Sequence, residues 1–151
     1  MTNWTRFSLN TQMNDGMCFG CGQKNPIGLK LGFKWDGKTA QAEFTPTELY
    51  QGWPGIVHGG IIICLLDEAM TYAAMFDGSR SVTAKMQIRL KRAASLNEPL
   101  LISSSVTRKT RKLVETQAIV SLKDGTLIAE GTATHFVANS QDSRKIKNDA
   151  P

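Results

Sequence analysis

At 151 residues, 41% of them hydrophobic and with no shift in composition along its length, the chain is sized for one domain that buries a core. Its formal charge of +5, from 18 Lys and Arg against 13 Asp and Glu, is scattered over strands and tail, which argues against nucleic acid as a partner and suits a small anionic ligand. Three cysteines, an odd number, argue against a disulfide framework; with the polar opening MTNWTRFSLN, which lacks the apolar segment of a secretory signal, they point to the cytoplasm.

In chain order, residues 1–17 read as an N-terminal arm, 18–137 as the folded domain and 138–151 as a polar, frayed tail. Cys18-Phe19-Gly20-Cys21-Gly22 forms a tight turn ahead of Asn25-Pro26-Ile27-Gly28-Leu29. A CxxC pair is half a zinc site or a redox couple, and no second pair or nearby histidine pair completes it. Two small buried thiols and no metal are expected, with a metal shared between subunits as the alternative. Residues 29–35 and 39–44 alternate apolar and polar positions around Asp36-Gly37, which predicts a hairpin. After a loop bearing Tyr50, Gln51 and Trp53, the stretch from Gly59 to Phe76 runs apolar and predicts a buried helix that stops at Asp77-Gly78. Interrupted by Asp67-Glu68, it reads as too short to cross a bilayer. The period then changes to two, predicting strands over 81–93, 99–108, 113–122 and 127–137. Two strands, one long helix and four strands predict an α+β domain whose antiparallel sheet wraps the helix, the only element able to cover it.

The helix carries the chemistry. Backbone N–H groups at a helix start have no internal partner and hold the positive end of the macrodipole, so they suit a polarised carbonyl or oxyanion. Gly59 and Gly60 leave that backbone open. Asp67 lies nine residues after His58, roughly 13 Å along the axis. One chain therefore cannot bring both to one small reacting group, whereas a second, antiparallel copy can. An isologous dimer with two shared sites is expected.

Tyr50-Gln51-Gly52-Trp53-Pro54-Gly55 leading into His58-Gly59-Gly60, then Leu65-Leu66-Asp67-Glu68-Ala69-Met70, then Val82-Thr83-Ala84, together resemble the hot-dog fold acyl-CoA thioesterases. The branch is the one that includes the phenylacetate-degradation and 4-hydroxybenzoyl-CoA enzymes, and the resemblance covers about residues 18–137. It implies a hot-dog fold, hydrolysis of an acyl-CoA thioester, a homodimer or dimer of dimers, and no cofactor beyond the coenzyme A of the substrate. The Gly60 N–H would polarise the thioester carbonyl, and Asp67 of the other subunit would act as general base or as nucleophile. Glu68 is the lesser candidate for that role; a polar stripe touching the partner subunit or an arginine would also account for both acids.

His58 would orient the loop or the acyl carbonyl, or serve structure alone. Tyr50 and Gln51 sit where the family often has a polar side chain, but Gln51 stands seven residues before His58, an offset that leaves its assignment open. Val82, Thr83 and Ala84 resemble the segment beside the pantetheine arm. Coenzyme A phosphates call for a basic mouth, from Arg89, Lys91 and Arg92 or from Arg108, Lys109, Arg111 and Lys112. His135 reads as structural, and residues 61–66, Met70, Met75 and Met86 as candidates for the acyl pocket. Two other functions remain open: a non-catalytic acyl-CoA-binding module, and a hot-dog hydratase or dehydratase, whose usual helix motif is missing here.

Overall fold

A computed structural model describes residues 16–138 of the chain. The expected arm and tail fall outside them except for Gly16, Met17 and Ala138. The strands are β1 (Lys34–Trp35), β2 (Thr39–Phe44), β3 (Ser81–Leu90), β4 (Leu100–Lys109), β5 (Leu113–Leu122) and β6 (Leu127–Val137). One helix, α1 (Gly59–Phe76), sits between β2 and β3, preceded by a single 3-10 turn at Glu48–Tyr50. The described strands form one antiparallel sheet in the order β1-β2-β4-β5-β6-β3, so β3 lies at an edge with one side unpaired.

Local chemistry explains the boundaries. In the first hairpin, Gly37 takes φ 98°, and the Asp36 carboxylate accepts the N–H groups of Lys38 and Thr39. At the end of α1, Gly78 turns left-handed at φ 95°, and Ser79 N–H closes back on Ala74 O at 2.9 Å. The long strands match their sequence periods closely. The ladder of β3 stops at Leu90, three residues short of expectation, because Lys91 and Arg92 both donate to Ile128 O.

Residues 29–33 differ from the expected strand. Leu29 N–H donates to Phe19 O and Leu31 N–H to Gly20 O, so this segment pairs with the CxxC loop, and Lys30 at φ 53° breaks any regular strand. Phe33 then stacks on Tyr72 and Trp35 on Phe76, tying the segment to the far half of α1.

The core lies between α1 and the concave face of the sheet. Leu65, Leu66 and Met70 are fully buried against Leu100, Ile102, Val120 and Ile128. Each such side chain contributes roughly 1.5–3 kcal/mol. By length and apolar composition alone α1 could cross a membrane, contrary to the estimate from sequence. Its packing against β2 through β6 makes it the core helix of the domain.

Candidate active site

His58 is the N-cap of α1, and its Nδ1 accepts the Gly60 N–H at 2.9 Å. Ile61 and Ile62 donate to His58 O. Among the described residues the Gly59 N–H has no acceptor, which makes it the open donor at the positive end of the helix. His58 is itself held by its N–H to Tyr50 O at 2.8 Å.

In front of this helix start lies a cleft of about 770 Å³, lined by Trp53, His58, Gly59, Ile62, Leu90, Lys91 and Arg92 among others. Its size suits a small-molecule site. Trp53 is 84% exposed at the rim. Of the acyl-pocket candidates only Ile62 lines this cleft; Leu65, Leu66 and Met70 are sealed in the core.

Asp67 is half-buried on α1, and the hydroxyl of Thr83 on β3 donates to its Oδ1 at 2.9 Å. Thr83 and His135 are direct partners in the β3–β6 register, and Thr83 Oγ1 lies 3.4 Å from His135 Nδ1. His135 Nε2 in turn meets Thr116 Oγ1 at 2.8 Å. A carboxylate oxygen only accepts, so the Thr83 O–H goes to Asp67; with that hydrogen spent, Nδ1 bonds Thr83 only as a donor, and the neutral ring so assigned accepts the Thr116 O–H at Nε2. His135 is fully buried, and burial pushes its imidazole below the usual range while the charge of Asp67 pulls the other way. Sequence reasoning reads His135 as structural; the structure places it, buried and bonded on both ring nitrogens, second in the chain Thr116–His135–Thr83–Asp67.

Val82 and Ala84 flank Thr83, and Ala84 has no partner on β6, a bulge that locally breaks the ladder beside Thr83. The Gln51 amide oxygen accepts the Gly55 N–H at 2.8 Å and its backbone bridges Val57, so Gln51 folds the loop at the cleft edge. Tyr50 donates its hydroxyl to Gly28 O and packs edge-on against Phe44.

The expected basic mouth divides. Lys91 and Arg92 line the cleft, with Lys91 3.4 Å from Glu130. Arg89, also near Glu130, lines a different groove of about 630 Å³ together with Ser103, Ser105, Gln117 and Ile119. Arg108 pairs with Glu115, and Lys109 binds Asp77 at the other end of α1. Lys109, in the same turn region as Arg108 and Arg111, therefore stands about 27 Å along the helix from Gly59 of the same chain.

Glu68, the neighbour of Asp67, serves a separate cluster with Cys18, Cys21 and Tyr72. Burial pushes the Glu68 carboxyl up, and the charge of Asp67 adds to the rise. Burial takes the Cys21 thiol up to about 12 and also raises Cys64 and the Tyr72 hydroxyl.

Among the described residues, one long helix wrapped by an antiparallel sheet, with an open N–H at its start and a braced carboxylate two turns on, is the hot-dog arrangement. Comparison supplies the family. The thioesterase superfamily pattern matches residues 54–129, half of the chain, and the chain belongs to that superfamily. It is 33% identical over 84 residues to the acyl-coenzyme A thioesterase THEM4 of Mus musculus, a match that takes in 55% of this chain. The chain spans 36% of the length of that relative. Among solved structures it resembles zebrafish thioesterase superfamily member 2, at 27% identity and a TM-score of 0.67 over 72% of this chain and 82% of that one. It also shares its fold with a hypothetical thioesterase from Streptococcus pneumoniae crystallised with coenzyme A, at 19% identity and a TM-score of 0.68 over 72% of this chain and 86% of that one.

Proposed function

We propose that the chain hydrolyses an acyl-coenzyme A thioester to the free acid and coenzyme A, with each reaction centre shared between two protomers. One observation carries this: Asp67 sits half-buried inside an apolar helix, its Oδ1 held by the Thr83 hydroxyl, with no cation paired to it among the described residues. A half-buried carboxylate so placed is costly unless it is used. Two of the relatives named above carry coenzyme A in their descriptions, the mouse acyl-coenzyme A thioesterase and the Streptococcus pneumoniae protein crystallised with coenzyme A, which supports the substrate class.

In this scheme the thioester carbonyl takes the Gly59 N–H of one protomer. That amide replaces Gly60 as the leading donor, since His58 occupies the Gly60 N–H. Asp67 of the other protomer activates water as general base or attacks the carbonyl itself. The thiolate of coenzyme A leaves, and Lys91 and Arg92 attract its phosphates. The unpaired side of β3 offers the edge along which two sheets join and bring their helices alongside. Coenzyme A arrives as part of the substrate, so no resident cofactor is needed, and the three free thiols suit a reducing cytoplasm.

The test is release of free thiol from a panel of acyl-CoA compounds. Wild type turns over, and Asp67→Asn loses roughly 10²–10⁴-fold in kcat while still binding substrate. Full turnover by Asp67→Asn, or binding without release by the wild type, removes the reading.

A further inference from the structure

We propose that Cys18, Cys21 and Glu68 form a zinc site that clamps the glycine-rich N-terminal loop onto α1. The two thiol sulfurs and a Glu68 oxygen all lie within 4.8 Å of one another, with Cys18 Sγ 3.8 Å from Glu68 Oε1. Tetrahedral zinc, with Zn–S about 2.3 Å and Zn–O about 2.1 Å, sets its ligand atoms about 3.5–3.8 Å apart. The cluster therefore needs only a small contraction to bind the ion. The lone CxxC lacked further ligands in sequence; the fold supplies the third from a helix fifty residues away.

The loop is built to hold this approach. Gly22 N–H closes on Cys18 O at 2.8 Å, and Leu29 and Leu31 N–H groups pin Phe19 O and Gly20 O. Asn25 ties Met17 O through its side-chain amide at 3.1 Å. A Cβ on Gly20 would fall 2.4 Å from Glu68 Oε2, so only glycine lets the carboxylate come this close to the turn. Among the described residues no Lys or Arg forms an ion pair with Glu68, so its charge faces two thiols and no cation. Two thiolates and one carboxylate suit zinc over calcium or magnesium, which prefer oxygen ligands. On binding, each thiol gives its proton to solvent and forms a Zn–S bond, and water from the exposed Cys18 side completes four-coordination. The ion anchors the loop; the proposed hydrolysis at Asp67 does not require it.

The experiment uses the full chain, reduced, stripped with chelator and titrated with zinc sulfate or a cobalt(II) salt. The expected results are one equivalent of zinc per chain, and a cobalt spectrum with thiolate charge-transfer bands. The paired change Cys18→Ser with Cys21→Ser abolishes both, whereas Cys64→Ser leaves both intact. Glu68→Gln weakens zinc at least about tenfold, since even the loss of a supporting outer-shell group costs that much. On the wild-type chain, zinc slows alkylation of Cys18 and Cys21, read by mass spectrometry, and leaves Cys64 unchanged; this arm stands even if the serine variant fails to fold. Substoichiometric uptake, cobalt bound without thiolate bands, unchanged alkylation, or a Cys18–Cys21 disulfide persisting in reductant each overturns the site.

Discussion

His58 Nδ1 takes the Gly60 N–H at 2.9 Å, and that bond engages the donor that sequence alone singles out for the carbonyl. The N–H left open is that of Gly59, the first residue of α1. Proline at this position removes the N–H where the first helical turn tolerates it, and His58 at ψ 132° already has the backbone that proline demands of its predecessor; because a Cβ on Gly59 also meets Leu90 Cδ1 at 3.3 Å, Gly59→Ala, which adds that carbon and keeps the N–H, is the control. Gly59→Pro should fold normally by circular dichroism and lose roughly 10²–10³-fold in kcat for thiol release. Unchanged kcat would return the role to Gly60.

The shared centre can be tested by mixing. Asp67→Asn and Gly59→Pro chains, each inactive, should regain about a quarter of the wild-type activity when refolded together at equal amounts, because half of the dimers are mixed and each mixed dimer holds one intact site. If each centre lay within one chain, every mixture would stay inactive.

Thr83 holds Asp67 through one hydrogen bond to a carboxylate, worth about 1.5–3 kcal/mol. Thr83→Val should lower kcat about 10–150-fold with KM little changed, and Thr83→Ser should restore most of it. A loss confined to KM would make Thr83 a contact to substrate instead.

His135 is buried and its imidazole is depressed below the ordinary 6.5. Below that pH the unfolded chain binds a proton that the folded chain refuses. The stability is complete above about pH 6.5 and falls as the pH drops through it, by up to about 1.4 kcal/mol per pH unit. Urea unfolding between pH 5 and 8 should show this slope, and His135→Gln should flatten it whatever its effect on absolute stability. An unchanged slope in the variant would assign the pH dependence to other groups.

Gly22 sits where a Cβ would lie 2.4 Å from Gly16 O and 2.5 Å from the backbone of Cys18. Backbone cannot yield as a side chain can, so Gly22→Ala should cost about 1–3 kcal/mol in denaturant unfolding. Gly32→Ala, with open space around it, should stay within about half a kcal/mol of wild type.

Elements whose signal is local were legible in the sequence. The helix over Gly59–Phe76 and the four long strands follow from apolar period and turn residues, and their limits agree to within three residues. Residues 29–33 alternate like a strand but pair with the CxxC loop, a choice made by tertiary contact rather than by propensity. Asp67, His58 and the two glycines could be named from sequence because one helix orders them. The chain from Thr116 through His135 to Thr83 could not, because it depends on the register of three strands. How the basic residues divide was hidden for a similar reason: Arg89 and Lys91 are close in sequence, yet within one chain they line different grooves, and Lys109, next to Arg108, binds Asp77 at the opposite end of the helix.

Asp67 and Glu68 are adjacent on α1, about 100° apart around its axis, and they face different clients: a threonine on β3 and a pair of thiols on the N-terminal loop. Deleting one residue upstream within the helix would turn both acids together, carrying Glu68 toward the post of Asp67 and withdrawing the loop's anchor in the same stroke. Chemistry and architecture are thereby geared to one rotation, and this helix can be shortened or lengthened only at its far end.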